Sequence, residues 1–177
     1  MSDPMWPVRE SVTEYETGWY DGGYDLVEQP DGTTKRYYWA ALSPAVVIVA
    51  IDGDAVVFVE QYRPTTRVRS LELPAGIVED GEDYLAAARR ELEEETGLVP
   101  ESLELLQTLD VATGVLRHER GIVLARDVTT GTQTLDDSEF LSVRRVPADE
   151  AIERAREQPA NDATLEGLLL AAREGSL

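Results

Sequence analysis

Five charged residues crowd one short stretch of the chain: Glu82, Arg90, Glu91, Glu94 and Glu95. Glu91 and Glu95 stand one helical turn apart, and Glu94 flanks them. Like charges so placed repel by roughly 0.2–0.5 kcal/mol per pair even on an exposed helix. A hard divalent cation relieves that repulsion. Mg²⁺ prefers oxygen ligands, keeps some of its waters and shares its shell with substrate phosphates, so the pattern points to metal-assisted phosphoryl chemistry, with Mn²⁺ the alternative ion. Arg90 precedes Glu94 by one turn and can hold its carboxylate in place. The plain alternative is a solvated acidic face, ordinary in a chain with 35 Asp and Glu residues. Charge alone does not separate the two.

The element that must carry these residues is a helix. Asp80-Gly81 reads as a turn, after which Glu82–Thr96 lacks Pro and Gly and is rich in Ala, Leu, Glu and Arg. Gly97 falls where a left-handed C-cap is expected. Leu85, Ala88 and Leu92 share an adjacent face that would pack on the core. Ala87, being small, is expected beneath the acidic face, leaving space for an ion.

Strand signals surround the helix. Ser11–Tyr20 alternates, and Tyr20-Asp-Gly-Gly-Tyr24 reads as a hairpin turn into Tyr24–Gln29. Pro30-Asp31-Gly32 is a second turn before Thr33–Ala41. Ala45–Ile51 and Ala55–Tyr62 form a hairpin about Asp52-Gly53-Asp54, and Arg69–Leu73 leads to Pro74-Ala75-Gly76. Beyond the helix, Glu101–Leu109, Gly121–Asp127 and Glu139–Val146 read as strands. Pro147 is expected to open a helix to about Glu157, and Asn161 or Asp162 to cap a last helix through Arg173. Strands around one central helix imply a mixed α/β sandwich in a single domain spanning 1–177, with residues 1–42 as N-terminal strands.

Composition bounds the function. The absence of cysteine excludes disulfides and thiolate metal sites. No run of 18 apolar residues suggests a membrane span, and the start MSDPMWPVRE lacks the charged and apolar regions of a signal peptide, so a cytoplasmic protein is expected. The net charge is −19, and of 16 basic residues only Lys35 is lysine. An acidic surface with arginine replacing lysine resembles proteins of salt-in halophiles, where high ionic strength screens self-repulsion. No basic stripe is present to neutralise nucleic-acid phosphates.

Spacing decides what charge cannot. From Gly76 to Leu98 the chain reads GIVEDGEDYLAAARRELEEETGL, which meets every fixed position of G-x5-E-x7-R-E-U-x-E-E-x-G-U, U being apolar. It resembles the Nudix hydrolase family, which cleaves nucleoside diphosphates linked to another group. Glu60-Gln61-Tyr62-Arg63 and Glu72-Leu73-Pro74-Ala75-Gly76 are similar to the ADP-ribose pyrophosphatase branch. Asp137-Ser138-Glu139-Phe140-Leu141 and Asp162-Ala163-Thr164-Leu165 resemble that branch's acidic loop and last helix. The resemblance implies the Nudix fold, an α/β/α sandwich around a mixed sheet, and N-terminal strands that exchange in a homodimer.

By that resemblance Glu91, Glu94 and Glu95 bind Mg²⁺, joined by the carbonyl of Ala75, while Glu82 orients the box helix. Arg63 contacts the pyrophosphate or terminal ribose, and Glu72 either binds a ribose hydroxyl or caps a turn. One of Tyr37, Tyr38 and Trp39 stacks on the base, or these rings fill the sheet or dimer core. Among Asp136, Asp137 and Glu139, Glu139 is the expected general base. One departure concerns the substrate: Thr113 stands where the branch carries proline, beside Gly114, and His118 lies in the same loop. The expected reaction is hydrolysis of ADP-ribose to AMP and ribose 5-phosphate. Another sugar nucleotide or dinucleotide is the nearer alternative, and a non-catalytic nucleotide-binding module the more distant one.

Overall fold

Valine-rich runs dictate the centre of the fold. The computed structural model describes residues 5–177; Met1–Pro4, on which part of the signal-peptide expectation rests, lie outside the described residues. In chain order the elements are β1 (Val8–Glu16), β2 (Tyr20–Glu28), β3 (Thr34–Leu42), β4 (Ala45–Asp52) and β5 (Ala55–Arg63). Next come β6 (Val68–Glu72), β7 (Ala75–Ile77), α1 (Tyr84–Thr96), β8 (Leu98–Asp110) and β9 (Leu116–Arg117). The chain closes with β10 (Glu119–Thr130), β11 (Leu141–Pro147), α2 (Ala151–Arg156) and α3 (Asp162–Arg173). The described residues group into two compact units.

The first unit holds the described residues through Pro44 together with Leu109–Glu119. Its sheet runs β1-β2-β3-β9, antiparallel except for the parallel β3–β9 pair. Asp25 is its polar centre, accepting from Ser11 Oγ at 2.7 Å, from Trp39 Nε1 at 3.1 Å and from Arg117, whose guanidinium lies over Trp39 at 4.1 Å.

The second unit holds Ala45–Thr108 and Arg120–Leu177. Its mixed sheet runs β11-β5-β4-β10-β8, with β6 on β5 and β7 on β4. β4 is buried on both faces, as expected of a strand covered by helices above and below. Alternation assigns the faces: Val46, Ile48 and Ala50 pack with Ala87, Ala88 and Leu92 of α1, whereas Val47 and Val49 meet α3 at Gly167. A Cβ on Gly167 would lie 2.8 Å from Leu73 and 3.2 Å from Val49, so the helix sits flush on the sheet. The layers are α/β/α, as expected.

Several boundaries differ. The first strand is Val8–Glu16, not Ser11–Tyr20, and Asp21-Gly22-Gly23 lies inside β2 rather than turning. The turn comes earlier, where Thr17 Oγ1 accepts from Trp19 and Tyr20 N–H at 3.1 and 3.0 Å, a local hydroxyl-to-backbone arrangement that outcompetes the glycines. Gly23 instead admits the β1 backbone and the Trp39 ring, since a Cβ there would lie 2.0 Å from Val12 O and 2.9 Å from the indole. α1 begins at Tyr84, because Asp83 caps it by accepting from Ala86 N–H at 2.8 Å. Pro147 ends β11 and α2 opens only at Ala151. β11 starts at Leu141, not Glu139, and the short β7 and β9 were not expected. On α1, Leu85 is 36% exposed rather than part of the core. Asn161 caps α3 as expected, accepting from Thr164 N–H at 2.9 Å.

Candidate active site

α1 ends as its sequence implies, with Gly97 left-handed at φ 70° and its N–H donating to Glu93 O at 2.8 Å. Between the caps, Glu91 and Glu95 point inward, 9% and 3% exposed, while Glu94 stays half-exposed. They face β7. Ala75 N–H donates to Glu95 Oε2 at 3.1 Å. A Cβ on Gly76 would lie 1.9 Å from the Glu91 carboxyl carbon, so glycine alone admits that carboxylate. The room that Gly76 leaves is taken by the Glu91 carboxyl, and Ala87, expected beneath the acidic face, is wholly buried in the core with Ala88 and Leu92.

Burial and like charge leave Glu91 and Glu95 poorly disposed to ionise. Burial pushes the Glu95 carboxyl up to about 8, with Glu91 and Glu139 adding to the effect and the Ala75 amide and Arg63 opposing it. Glu91 is raised by the same loss of water and by Glu94 and Glu139, against the pull of Arg90. A divalent cation reverses such penalties directly, and an all-oxygen donor set suits Mg²⁺ or Mn²⁺. As they stand, no three His, Asp or Glu side chains among the described residues form a closed cation cage. Glu94 leans instead toward Arg90.

Arg90 organises the exposed side of the cluster. Its Nη1 donates to Glu91 at 2.8 Å and Glu94 at 3.1 Å, its Nε to Glu82 at 3.0 Å, and its Nη2 to Glu82 and to Ile77 O, both at 2.9 Å. Hydrogen bonds from Arg90 and from Glu79 N–H hold Glu82 below the usual carboxylate range despite some burial. Glu82 thus touches the acid cluster only through Arg90.

A second charged pair lies on β5 and β6. Arg63 donates through Nε at 3.0 Å and Nη2 at 2.5 Å to Glu72, the last residue of β6, which is 4% exposed. Burial alone would raise Glu72, but bonds from Arg63, Ser70 and Gln61 outweigh it and its pKa is lowered. Arg63, Ser70 and Glu72 line a cleft of about 640 Å³ whose other wall is Pro159–Asp162. Ser70 and Gln61 were not expected here; the E-Q-x-R segment contained the signal for Gln61.

The segment after β10 carries the remaining acids. Glu139 N–H donates to Asp136 O at 2.9 Å and Glu139 Oε2 accepts from Asp136 N–H at 3.0 Å, closing a turn. Of the three loop acids, Glu139 is the one whose charge raises both Glu91 and Glu95. In the first unit, Tyr37 and Tyr38 are exposed on β3, while Trp39 is tied to Asp25 and Arg117. Thr113 and Gly114 are exposed, and His118 Nδ1 donates to Ser43 O at 2.8 Å.

The family model for the NUDIX domain matches residues 41–168. The chain is 33% identical over 141 residues to the methanol dehydrogenase activator of Bacillus methanolicus, covering 78% of this chain and 76% of that one. It is 29% identical over 140 residues to the ADP-ribose pyrophosphatase of Bacillus subtilis, covering 77% and 76%. A crystal structure of an ADP compounds hydrolase superposes over the whole of both chains with a TM-score of 0.89 at 23% identity, a likeness of fold.

Proposed function

The chain belongs to the Nudix hydrolase family, and on that footing we propose that it hydrolyses the pyrophosphate bond of a nucleoside diphosphate sugar, with ADP-ribose, giving AMP and ribose 5-phosphate, as leading substrate. The observation that carries this reading is the buried pair Glu91 and Glu95, both within the electrostatic reach of Glu139. Glu91, Glu94 and Glu95 would hold a divalent cation, with the Ala75 carbonyl as a further oxygen donor. The ion supplies neutralisation of phosphate charge and an activated water.

The chain's own residues do the rest. Glu139 takes the proton of the attacking water as its oxygen bonds to phosphorus and the bond to the bridging oxygen breaks. Arg63 offers its unpaired Nη1 edge to the diphosphate, and Glu72 holds the guanidinium in the cleft rather than meeting substrate alone. Arg90 and Glu82 keep Glu91 and Glu94 in place. A homodimer through the sheet of the first unit belongs to the same reading, supported by exposed Tyr15, Trp19 and Tyr38; light scattering tests it.

Likeness to a protein named for activating a dehydrogenase favours a second reading, in which nucleotide binding without turnover serves to regulate another enzyme. Product analysis across ADP-ribose, other nucleotide sugars and a dinucleotide, with Mg²⁺, separates the two. Release of AMP and ribose 5-phosphate supports the first. Tight binding of one compound with turnover of none would overturn it.

A further inference from the structure

The base-bearing segment is strapped to the end of the helix that carries the acid cluster. Gly131 N–H donates to Gly97 O at 2.7 Å, Gln133 Nε2 to Glu95 O at 2.6 Å and Thr134 N–H to Glu94 O at 3.0 Å. These are carbonyls at the C-terminal end of α1, which lack intrahelical donors. No basic side chain occupies that last turn, so the strap is the helix's C-terminal partner. The fit is close at both glycines. A Cβ on Gly97 would lie 2.9 Å from Gln133 N, and one on Gly131 would lie 2.8 Å from Val99. Only Leu135 separates Thr134 from the turn that Asp136 and Glu139 close.

We propose that Gln133 is a positioning residue for Glu139. Its side-chain amide holds the 131–139 segment to the backbone of Glu95, so that metal helix and general base keep one register. This rests on the reading of Glu139 as the base. The backbone bonds of Gly131 and Thr134 survive any substitution that folds; the bond from Gln133 is the one a side chain controls. It also ties the strap to a residue of the acid cluster itself. A glutamine is long enough to bring a donor to Glu95 O, and Gln133 N lies close against Gly97.

The test compares Gln133→Leu, Glu139→Gln and the double variant in the full chain. Gln133→Leu is expected to lower kcat ten- to hundredfold with KM within twofold. Amide exchange across 131–140 should speed at least tenfold without added metal, while the body of α1 stays protected. In the Glu139→Gln background, Gln133→Leu should change kcat less than twofold, because its effect passes through Glu139. Gln133→Lys, which keeps a donor of similar reach, should restore most of kcat. Should Gln133→Leu not fold, Gln133→Asn, one methylene short, carries the same expectations at smaller size. Wild-type kcat, unchanged exchange, or a full additional loss in the Glu139→Gln background would each overturn the proposal. Wild-type turnover by Glu139→Gln alone would remove the base assignment itself, a failure read independently of the strap.

Discussion

Gly76 and Glu91 occupy each other's space: the Glu91 carboxyl sits where a side chain on Gly76 would begin, 1.9 Å from an ideal Cβ. A methyl there cannot be absorbed without moving the carboxylate, since β7 is hydrogen-bonded to β4 behind it. Gly76→Ala is therefore expected to cut kcat on the order of a hundredfold, the effect of displacing a reacting group by about 1 Å. Overpacking of this kind costs about 1–3 kcal/mol, so thermal denaturation should show a lower Tm with the fold retained. Wild-type kinetics would mean that Glu91 is not where the chemistry needs it.

Glu95 gives a prediction in pH. Its folded pKa of about 8 lies above the ordinary value of 4.5 for a glutamate, so its contribution to stability is complete below about 4.5 and is lost as pH rises to about 8. Glu91, also raised, acts in the same direction. Without divalent metal, wild-type Tm should fall across that window, and added Mg²⁺ should recover it at the upper end. Glu95→Gln keeps an acceptor for Ala75 N–H but has no charge to bury. Its metal-free Tm should exceed that of the wild type by several degrees at pH 9 and match it near pH 4.5, with kcat reduced on the order of 10²–10³-fold. A Tm difference independent of pH would contradict the account.

Arg90 and Glu82 should behave as one unit. Removal of an outer-shell partner of a metal ligand costs about 10–100-fold. Glu82→Gln and Arg90→Lys are each expected within that range, the latter because an ammonium cannot span three carboxylates and a carbonyl as the guanidinium does. Together they should cost little more than Arg90→Lys alone. Full additivity in a double-mutant cycle would separate their roles.

Arg63 and Glu72 couple stability to binding. Arg63→Ala strands a carboxylate that is 4% exposed and should destabilise the protein by about 1–3 kcal/mol, read by urea denaturation. KM for ADP-ribose should rise about tenfold or more, the equivalent of at least 1.4 kcal/mol of lost contact. Glu72→Gln keeps the packing and should raise KM with less effect on stability. An unchanged KM in both would remove this cleft from the substrate path.

The helix and its acids were legible because 3.6-residue periodicity and the fixed glycines state them locally. The pairing of Arg90 with Glu94 follows from spacing, and the Asn161 cap from residue type. What escaped was set by distant contacts. Ala87 and Leu85 differ in burial because β4 lies nearer one side of α1, which no local pattern records. Asp21-Gly22-Gly23 has turn composition, yet the close approach of Val12 O on β1, with the Trp39 ring beside it, needs Gly23's missing side chain. Glu72 looked free to cap or bind because its commitment to Arg63 spans two strands.

Arg90 Nη2 grips both Ile77 O and Glu82, the two ends of the loop leading into the helix. One guanidinium thus sets the permitted length of that connection. An extra residue between them would push Glu82 out of the fork or pull Ile77 from β7, and a deletion would leave the span too short to close. The interval between Gly76 and Glu82 is accordingly a distance measured by a side chain, and tolerance to insertion should resume only beyond Arg90's reach.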